Sequence, residues 1–375
     1  MNGIRPICPV LAAVAVAITG CAGDGPNAVV DPPRSGEHSI TVAGDLPPVT
    51  AEFSWPPANT PPDHYPVTVS SCGEPVTFDE APDRAVVNDD NMIELMFALG
   101  LTDRMAGYAG AGERLRLAVF IDDYAAATSL GPDYFALEPL LGVAPDFVFA
   151  GWNYGFDTGG INPDSLAELG IPSYVLSESC RRVDDTLAPA TIDEWFGDVR
   201  AIAAIFGVPE RAEALIAHWQ QRLVRVADRI PADAEPVRVF CWDWGTDTLG
   251  TGAGLTIVPQ LYQRAGAVNV FADLEEMWEN VSFEAFVQRA PELIAVTDYG
   301  DGPTGQQKIE MLKAMDGVGT VPAVRDNRFL VLPQEAVNPG IRIVDGIEAL
   351  AANLYPEQFA DLVDTPGFGL AATAS

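Results

Sequence analysis

Histidine is scarce in this chain: His38, His64 and His218 are the three in 375 residues, with five cysteines beside them. Sites for bare zinc or manganese gather several imidazoles, thiolates and carboxylates around the ion. Three imidazoles this widely scattered do not make such a cluster, so no metal site is expected. Basic residues are scarce as well. Twenty-one Lys and Arg against 53 Asp and Glu leave a formal charge of −32, which repels nucleic-acid phosphates and offers no polybasic patch to anionic lipid. No apolar run reaches the roughly 18 residues of a membrane-spanning helix. Nucleophile elbow, phosphate loop and zinc-protease motifs are also lacking. Asp89 with Asp90, or Asp243 with Asp247, would suit the carboxylate pair of a glycosidase, but among 53 acids such neighbours arise by chance, and no enzyme is expected. What is plentiful is apolar residue: 48% hydrophobic and 20% charged composition specifies a folded chain, and about 150 residues per domain suggests two domains.

Residues 1–20 read as an export signal. One positive charge, Arg5, precedes the apolar run Val10-Leu11-Ala12-Ala13-Val14-Ala15-Val16-Ala17-Ile18, which has secretory length and is too short to span a bilayer. The run ends in Ile18-Thr19-Gly20-Cys21-Ala22-Gly23, small residues before a cysteine, which resembles the lipobox of bacterial lipoproteins. That resemblance implies cleavage before Cys21 and acylation of Cys21 with two or three chains such as palmitate, enough for stable anchoring where one chain is not. Loss of Arg5 takes the formal charge from −32 to −33. From Ala22 to Pro66 there are ten prolines, several in pairs, and no apolar periodicity. Residues 21–66 therefore read as a disordered tether, reaching on the order of 100 Å if polyproline II keeps it stiff. His38 and His64 lie within it and are expected to be solvated.

Beyond the tether, short β-branched or aromatic runs alternate with helical periods, the pattern of α/β layers. Ala85-Val86-Val87 reads as a strand, Asp90 as a helix N-cap, and Met92 to Leu99 as a helix closed by Gly100. A phrase then recurs. Ala144-Pro145-Asp146 introduces the strand Phe147-Val148-Phe149-Ala150, and Pro291-Glu292 introduces Leu293-Ile294-Ala295-Val296; seven residues before each proline stands a glutamate, Glu138 and Glu284. The repetition implies two related lobes, each with one glutamate at the start of a short helix. Between them Asp193 to Phe206 has helical spacing and stops at Gly207. After Pro209 a second period runs through Ala212, Leu215, Ile216, Trp219, Leu223, Val226 and Ile230 to Pro231. About 21 residues at 1.5 Å each make a rod of roughly 30 Å, which permits less hinge opening than a pair of flexible loops. His218 lies on this rod as a packing or surface residue. The expected fold is α/β: an N-terminal lobe (67–206), a connecting helix (207–231), a C-terminal lobe (232–365), a tail (366–375), and a ligand cleft between the lobes.

Several motifs recur in a familiar order. Cys72-Gly73-Glu74-Pro75-Val76-Thr77-Phe78 leads into Ala81-Pro82-Asp83-Arg84-Ala85-Val86-Val87, and Glu94-Leu95-Met96-Phe97-Ala98-Leu99-Gly100 follows. Phe135-Ala136-Leu137-Glu138, Trp278-Glu279-Asn280-Val281-Ser282-Phe283-Glu284 and Asn338-Pro339-Gly340-Ile341-Arg342 complete the set. With the lipobox and the single rod, residues 67–360 resemble the substrate-binding lipoproteins of iron-siderophore and cobalamin ABC importers, which have the class III periplasmic-binding-protein architecture. The resemblance implies a monomer on the outer face of the cytoplasmic membrane, attached only through its lipid. Its partners would be an ABC permease with its ATPase and a small iron chelate. Glu138 and Glu284 would pair with permease arginines, a charge-assisted contact that sets register.

Ligands of open α/β sheets sit beyond the carboxyl ends of the strands. The residues found there are Asn88-Asp89-Asp90, Tyr108, Trp152-Asn153-Tyr154, Trp242-Asp243-Trp244 and Asp298-Tyr299, joined by Arg342. The expected ligand set is Tyr108, Trp152, Tyr154, Trp242, Trp244, Tyr299 and Arg342, since aromatic rings supply contact area and Tyr or Trp keeps a polar handle. Arg342 would meet an anionic siderophore or a haem propionate, or else form an internal salt bridge. No resident cofactor is expected. The expected ligand is a ferric siderophore, with haem, ligated by Tyr108, Tyr154 or Tyr299, and a corrinoid still open; outside transport, the competing reading is a ligandless envelope protein. With Cys8 removed and Cys21 acylated, Cys72, Cys180 and Cys241 allow three pairings. Cys72 and Cys180 share a lobe and are expected to bridge, leaving Cys241 as a buried thiol.

Overall fold

The computed structural model describes residues 41–42, 60–61, 63–112, 116–157, 160–245, 248–300 and 302–360. The export signal, Cys21, His38, most of the tether and residues 361–375 lie outside the described residues.

The first strand, β1 (Thr41–Val42), falls within the segment read as tether and pairs in parallel with Leu330 and Val331 at a sheet edge. The end of that segment also differs from the expectation. Nε2 of His64 lies 2.6 Å from the carbonyl oxygen of Ala204, and the Tyr65 hydroxyl donates to the carbonyl of Ile205 at 2.8 Å. These carbonyls belong to the last turn of a helix, where no intrahelical partner exists. The two side chains satisfy them, so His64 is half-buried and fixed rather than solvated.

Strands β2 (Val67–Ser71) and β3 (Glu74–Phe78) form an antiparallel hairpin. Its two-residue turn, Cys72-Gly73, has φ of +46° and +85°, the left-handed turn that matches strand twist and that glycine tolerates. Cys72 is joined to Cys180, with Cα atoms 5.4 Å apart, and Cys241 is a buried thiol. The N-terminal sheet is parallel. β4 (Ala85–Asn88) is flanked by β5 (Met105–Ala109) and β6 (Phe147–Trp152), and β6 also carries β7 (Gly155–Phe156) and β8 (Ser173–Val175). Around it lie α1 (Asp90–Ala98), α2 (Ile121–Ala126), α3 (Leu137–Gly142) and α4 (Pro163–Glu168). All of β4 and all of α1 is buried, as a parallel sheet covered on both faces requires.

Helix α5 (Ile192–Ile205) leads to the rod, α6 (Pro209–Arg229). The stripe expected from spacing is the buried one from Ala212 to Val226, with Arg222 added, while Ile230 is half-buried just past the helix end. Trp219 stacks flat on Phe196 of α5, centroids 6.0 Å apart. The C-terminal sheet is again parallel, in the order β1, β14 (Phe329–Pro333), β13 (Leu293–Asp298), β9 (Val237–Trp242), β11 (Ala267–Asn269). An antiparallel pair, β10 (Leu249–Gly252) and β12 (Trp278–Val281), stands beside it, and α7 (Val258–Arg264), α8 (Phe283–Arg289), α9 (Gly305–Lys313), α10 (Pro322–Arg325) and α11 (Ile343–Leu354) cover the faces. Arg222 reaches from the rod to Asp345 and Glu348 of α11, so the rod is fixed to the second lobe by charge as well as by packing.

Strand parity sorts the core. Val87, Phe147, Val239, Cys241 and Leu293 face an apolar mass that runs through the rod and joins both lobes, while Val86, Val148, Phe240 and Trp242 face outer cores. Further bonds cross between lobes. The carboxylate of Glu178 accepts from the backbone N–H of Ile257 at 2.7 Å, and the Asn91 amide donates to the carbonyl of Pro339 at 2.7 Å. Among the described residues no helix is long and apolar enough to cross a membrane.

Candidate functional site

Beyond the carboxyl ends of the two sheets lies a cleft of 190 Å³. Tyr134, Asn153, Tyr154 and Arg182 line it from the N-terminal lobe; Asp243, Trp244, Trp278, Tyr299, Gln334 and Asn338 line it from the other. Larger hollows exist, 630 Å³ between the hairpin and α5 and 690 Å³ on α9, but neither brings aromatic and polar groups from both lobes together.

Asn88, wholly buried at the end of β4, builds the N-terminal wall. Its carbonyl oxygen accepts from the N–H of Phe135 at 3.0 Å, and its amide donates to the carbonyl of Tyr154 at 3.1 Å. One side chain thus ties together the two loops that carry Tyr134 and Tyr154. Close approach is possible because residue 155 is glycine: at φ +114° a Cβ there would stand 2.8 Å from Cγ of Asn88. The Tyr134 hydroxyl donates to Asp89 at 2.9 Å. Burial, with the neighbouring Asp90 charge, pushes the Asp89 carboxyl up to about 7.

On the opposite wall the rings of Trp244 and Trp278 lie 6.2 Å apart. The Trp278 indole N–H donates to the Tyr154 hydroxyl at 3.2 Å, a bond that spans the cleft. Tyr299 donates to Asp243, whose carboxyl is raised by burial against the pull of that hydrogen bond. Behind them the buried Lys308 ammonium donates to the carbonyls of Asp243 and Thr297, at 2.8 and 2.7 Å. All three cleft phenols are pushed above the ordinary tyrosine range, first by burial and then by carboxylates: Asp89 at Tyr134, Glu178 at Tyr154, Asp243 at Tyr299. They remain neutral at physiological pH. Arg182 is exposed at the rim.

Of the residues expected in the cleft, Tyr154, Trp244 and Tyr299 meet there. Tyr108, Trp152, Trp242 and Arg342 do not. Tyr108 is buried edge-on against Tyr124, 5.5 Å away, because its position in β5 faces the inner core. Trp152 is half-buried on Phe156. Trp242 ends β9 on the outer-core face, and its indole N–H is taken up by the carbonyls of Trp244 and Gly245. Arg342 is buried in ion pairs with Glu94 and Glu335. Residue order missed Tyr134, Arg182, Trp278, Gln334 and Asn338; Trp278 and Asn338 stood in motifs noted for other reasons, and Arg182 gave no signal of its own.

Among the described residues no three His, Cys, Asp or Glu side chains gather as a metal site. His218 is half-buried on α6. Glu138 and Glu284 are exposed in the first turns of α3 and α8. The Ser282 hydroxyl caps α8 by accepting from the N–H of Ala285 at 3.2 Å, and bonds from its own N–H and from Ser282 hold the Glu284 carboxyl below its ordinary range.

The model of the family described as periplasmic binding protein matches residues 86–336. A vitamin B12-binding protein of Yersinia pestis is 27% identical over 222 residues, covering 58% of this chain and 70% of its own. The crystal structure of a periplasmic binding protein from Veillonella parvula superposes with a TM-score of 0.68 at 25% identity, covering 77% of this chain and 97% of that one. An ABC-type Fe3+-hydroxamate transport protein from Saccharomonospora viridis gives 0.69 at 22% identity, covering 78% and 99%.

Proposed function

The chain belongs to the periplasmic binding protein family, and we propose that within it this protein is the lipid-anchored subunit that captures a ferric siderophore and delivers it to an ABC permease. The family places it outside the cytoplasm as a solute-binding transport component, not an enzyme. In the reading proposed here residues 1–20 are removed, Cys21 carries the lipid, the segment before the hairpin gives reach, and Glu138 and Glu284 meet basic groups of the permease.

The observation that carries the choice of ligand is the state of the cleft phenols. A tyrosine that ligates haem iron does so as phenolate. Tyr134 and Tyr299 each donate to a carboxylate, and a negative acceptor opposes ionisation of its donor. Tyr154 is buried beside Glu178. A cleft of neutral phenols and two indoles suits a chelate whose metal is already fully ligated and whose flat or apolar surface stacks on rings. A corrinoid meets the same description, and the 27% identity to a vitamin B12-binding protein favours it as the second reading. At 190 Å³ the cleft is below the ~300–1,000 Å³ of ordinary ligand pockets, so either ligand must part the lobes and break the Trp278–Tyr154 bond.

Titration of the purified protein with ferric ferrioxamine B, cyanocobalamin and haemin tests this, read by quenching of tryptophan fluorescence, to which Trp244 and Trp278 in the cleft contribute. Saturable quenching by the hydroxamate complex supports the first reading and quenching by cyanocobalamin alone supports the second. A shifted Soret band with haemin, and no response to the other two, would overturn both.

A further inference from the structure

The two lobes repeat their glutamates, and they also repeat the device that holds them. In the N-terminal lobe Arg84 immediately precedes β4. Its Nε donates to the carbonyl of Ala144 at 2.9 Å and a terminal amino group donates to that of Val143, just past the end of α3. Asp146, immediately before β6, accepts from the N–H groups of Asp83 and Arg84 at 2.9 Å each, and its own N–H donates to the Arg84 carbonyl at 3.2 Å. In the C-terminal lobe the guanidinium of Arg238, in β9, donates to the carbonyl of Arg289, the last residue of α8. Glu292, immediately before β13, accepts from the Arg238 N–H at 3.1 Å and donates back to its carbonyl at 2.7 Å. The residues that follow occupy equivalent register: Ala85 pairs with Phe147, and Val239 with Leu293.

Each helix is followed, within two residues, by a left-handed alanine before proline, Ala144 at φ +47° and Ala290 at φ +43°. That conformation is unfavourable for a residue with a Cβ, and the arginine bonds in both lobes fall on or next to it. Both arginines are exposed, so burial of apolar surface does not account for them. The other end of each segment reaches the cleft: Tyr134 precedes Glu138 by four positions, and Trp278 precedes Glu284 by six.

We propose that Arg84 and Arg238 are positioning residues for permease docking. Each clamps a helix of six or seven residues to the central strand pair of its own lobe, so that the spacing between Glu138 and Glu284 follows the separation of the lobes. The partner surface would present two basic patches at matching spacing. The inference rests on the docking role proposed above for the two glutamates.

The test uses the full chain, membranes of its source cell carrying the importer, and ferric ferrioxamine B and cyanocobalamin as probes. For the Arg84→Met/Arg238→Met variant, probe affinity and maximal stimulation of the importer's ATPase are expected to hold. The protein concentration for half-maximal stimulation is expected to rise roughly tenfold, the scale of a disturbed charge-assisted contact. Lysine at both positions should restore part of it, and in a Glu138→Gln/Glu284→Gln background the methionines should add nothing. A purely structural role would instead lower probe affinity and add to the glutamate variant, overturning the inference. Unchanged half-saturation, while Glu138→Arg/Glu284→Arg abolishes stimulation, would overturn the clamp and leave docking standing. Normal stimulation by that glutamate variant would overturn both.

Discussion

Arg342 and Glu94 are bonded across the lobe boundary, Nε to Oε2 at 2.8 Å, although 248 positions separate them in the chain. Glu94 lies in a helix whose every residue is buried, and Glu335 stands 3.7 Å from the same guanidinium. Charges taken this far from water are tolerated because they are paired. The pairing assigns Arg342 to the joint between the lobes and removes it from the ligand.

Replacing Arg342 by methionine leaves at least two carboxyl groups without their counter-charge. Breaking a buried pair on one side costs about 3–5 kcal/mol, which urea unfolding would register as a lower midpoint at unchanged slope. Probe affinity of the folded fraction should stay at the wild-type value. Weaker binding at unchanged stability would return Arg342 to the cleft.

Stability should fall as pH rises through neutrality. Burial pushes Glu94 and Glu178 up to about 7 and Glu335 up to about 8, whereas in the unfolded chain a glutamate ionises near ~4.3. Between these values the folded protein holds more protons than the unfolded one, so unfolding free energy declines with pH. The benefit is fully present below the unfolded value and is lost by about pH 8. Thermal midpoints at constant ionic strength should be higher at pH 5 than at pH 8. Glu178→Gln, which keeps an acceptor for the Ile257 N–H, should flatten the profile; a midpoint that rises over this range would contradict the assignment.

Periodic features were legible from residue order because the burial that creates them is local. The stripe on α6 and the Pro-acid entry into β6 and β13 follow from spacing along one element. Arg342 against Arg182 was not legible, since the choice depends on Glu94 in the other lobe. Nor was the capping of α5 by His64 and Tyr65, made between residues 140 positions apart. Trp242 and Trp244 share strand parity, and what separates them is where β9 stops.

Those two tryptophans should respond oppositely to truncation. Trp242 is fully buried and Trp244 half-buried in the cleft wall. Trp242→Ala opens a core cavity and should lower stability by about 3–5 kcal/mol. Trp244→Ala should leave stability within about 1 kcal/mol and weaken the bound probe roughly tenfold or more. Fluorescence titration beside urea unfolding separates the two, and equal losses of stability would refute the placement of Trp244.

The disulfide should matter to stability and hardly to binding. Cys72 and Cys180 close a separation of 108 residues, for which the loop-entropy model gives about 4–5 kcal/mol. Cys72→Ala/Cys180→Ala should lower the urea midpoint accordingly, with probe affinity retained. A loss of affinity at unchanged midpoint would show that the bridge shapes the cleft.

Asn88 offers the sharpest separation of cleft geometry from cleft contact, because it is buried behind the aromatic wall rather than lining it. Asn88→Ala leaves the Phe135 N–H without its partner, at about 1–3 kcal/mol for the unsatisfied group, and leaves the Tyr154 carbonyl only the Gly151 N–H. It also frees the loops bearing Tyr134 and Tyr154 to move apart. Asn88→Asp keeps the acceptor for Phe135 but sets a carboxylate oxygen against the Tyr154 carbonyl, so it should push the Tyr154 loop away while leaving the Phe135 contact. Probe affinity should therefore fall in both variants, with association slowed less than dissociation is accelerated. If both variants bind as the wild type does, the two loops are held by something other than Asn88.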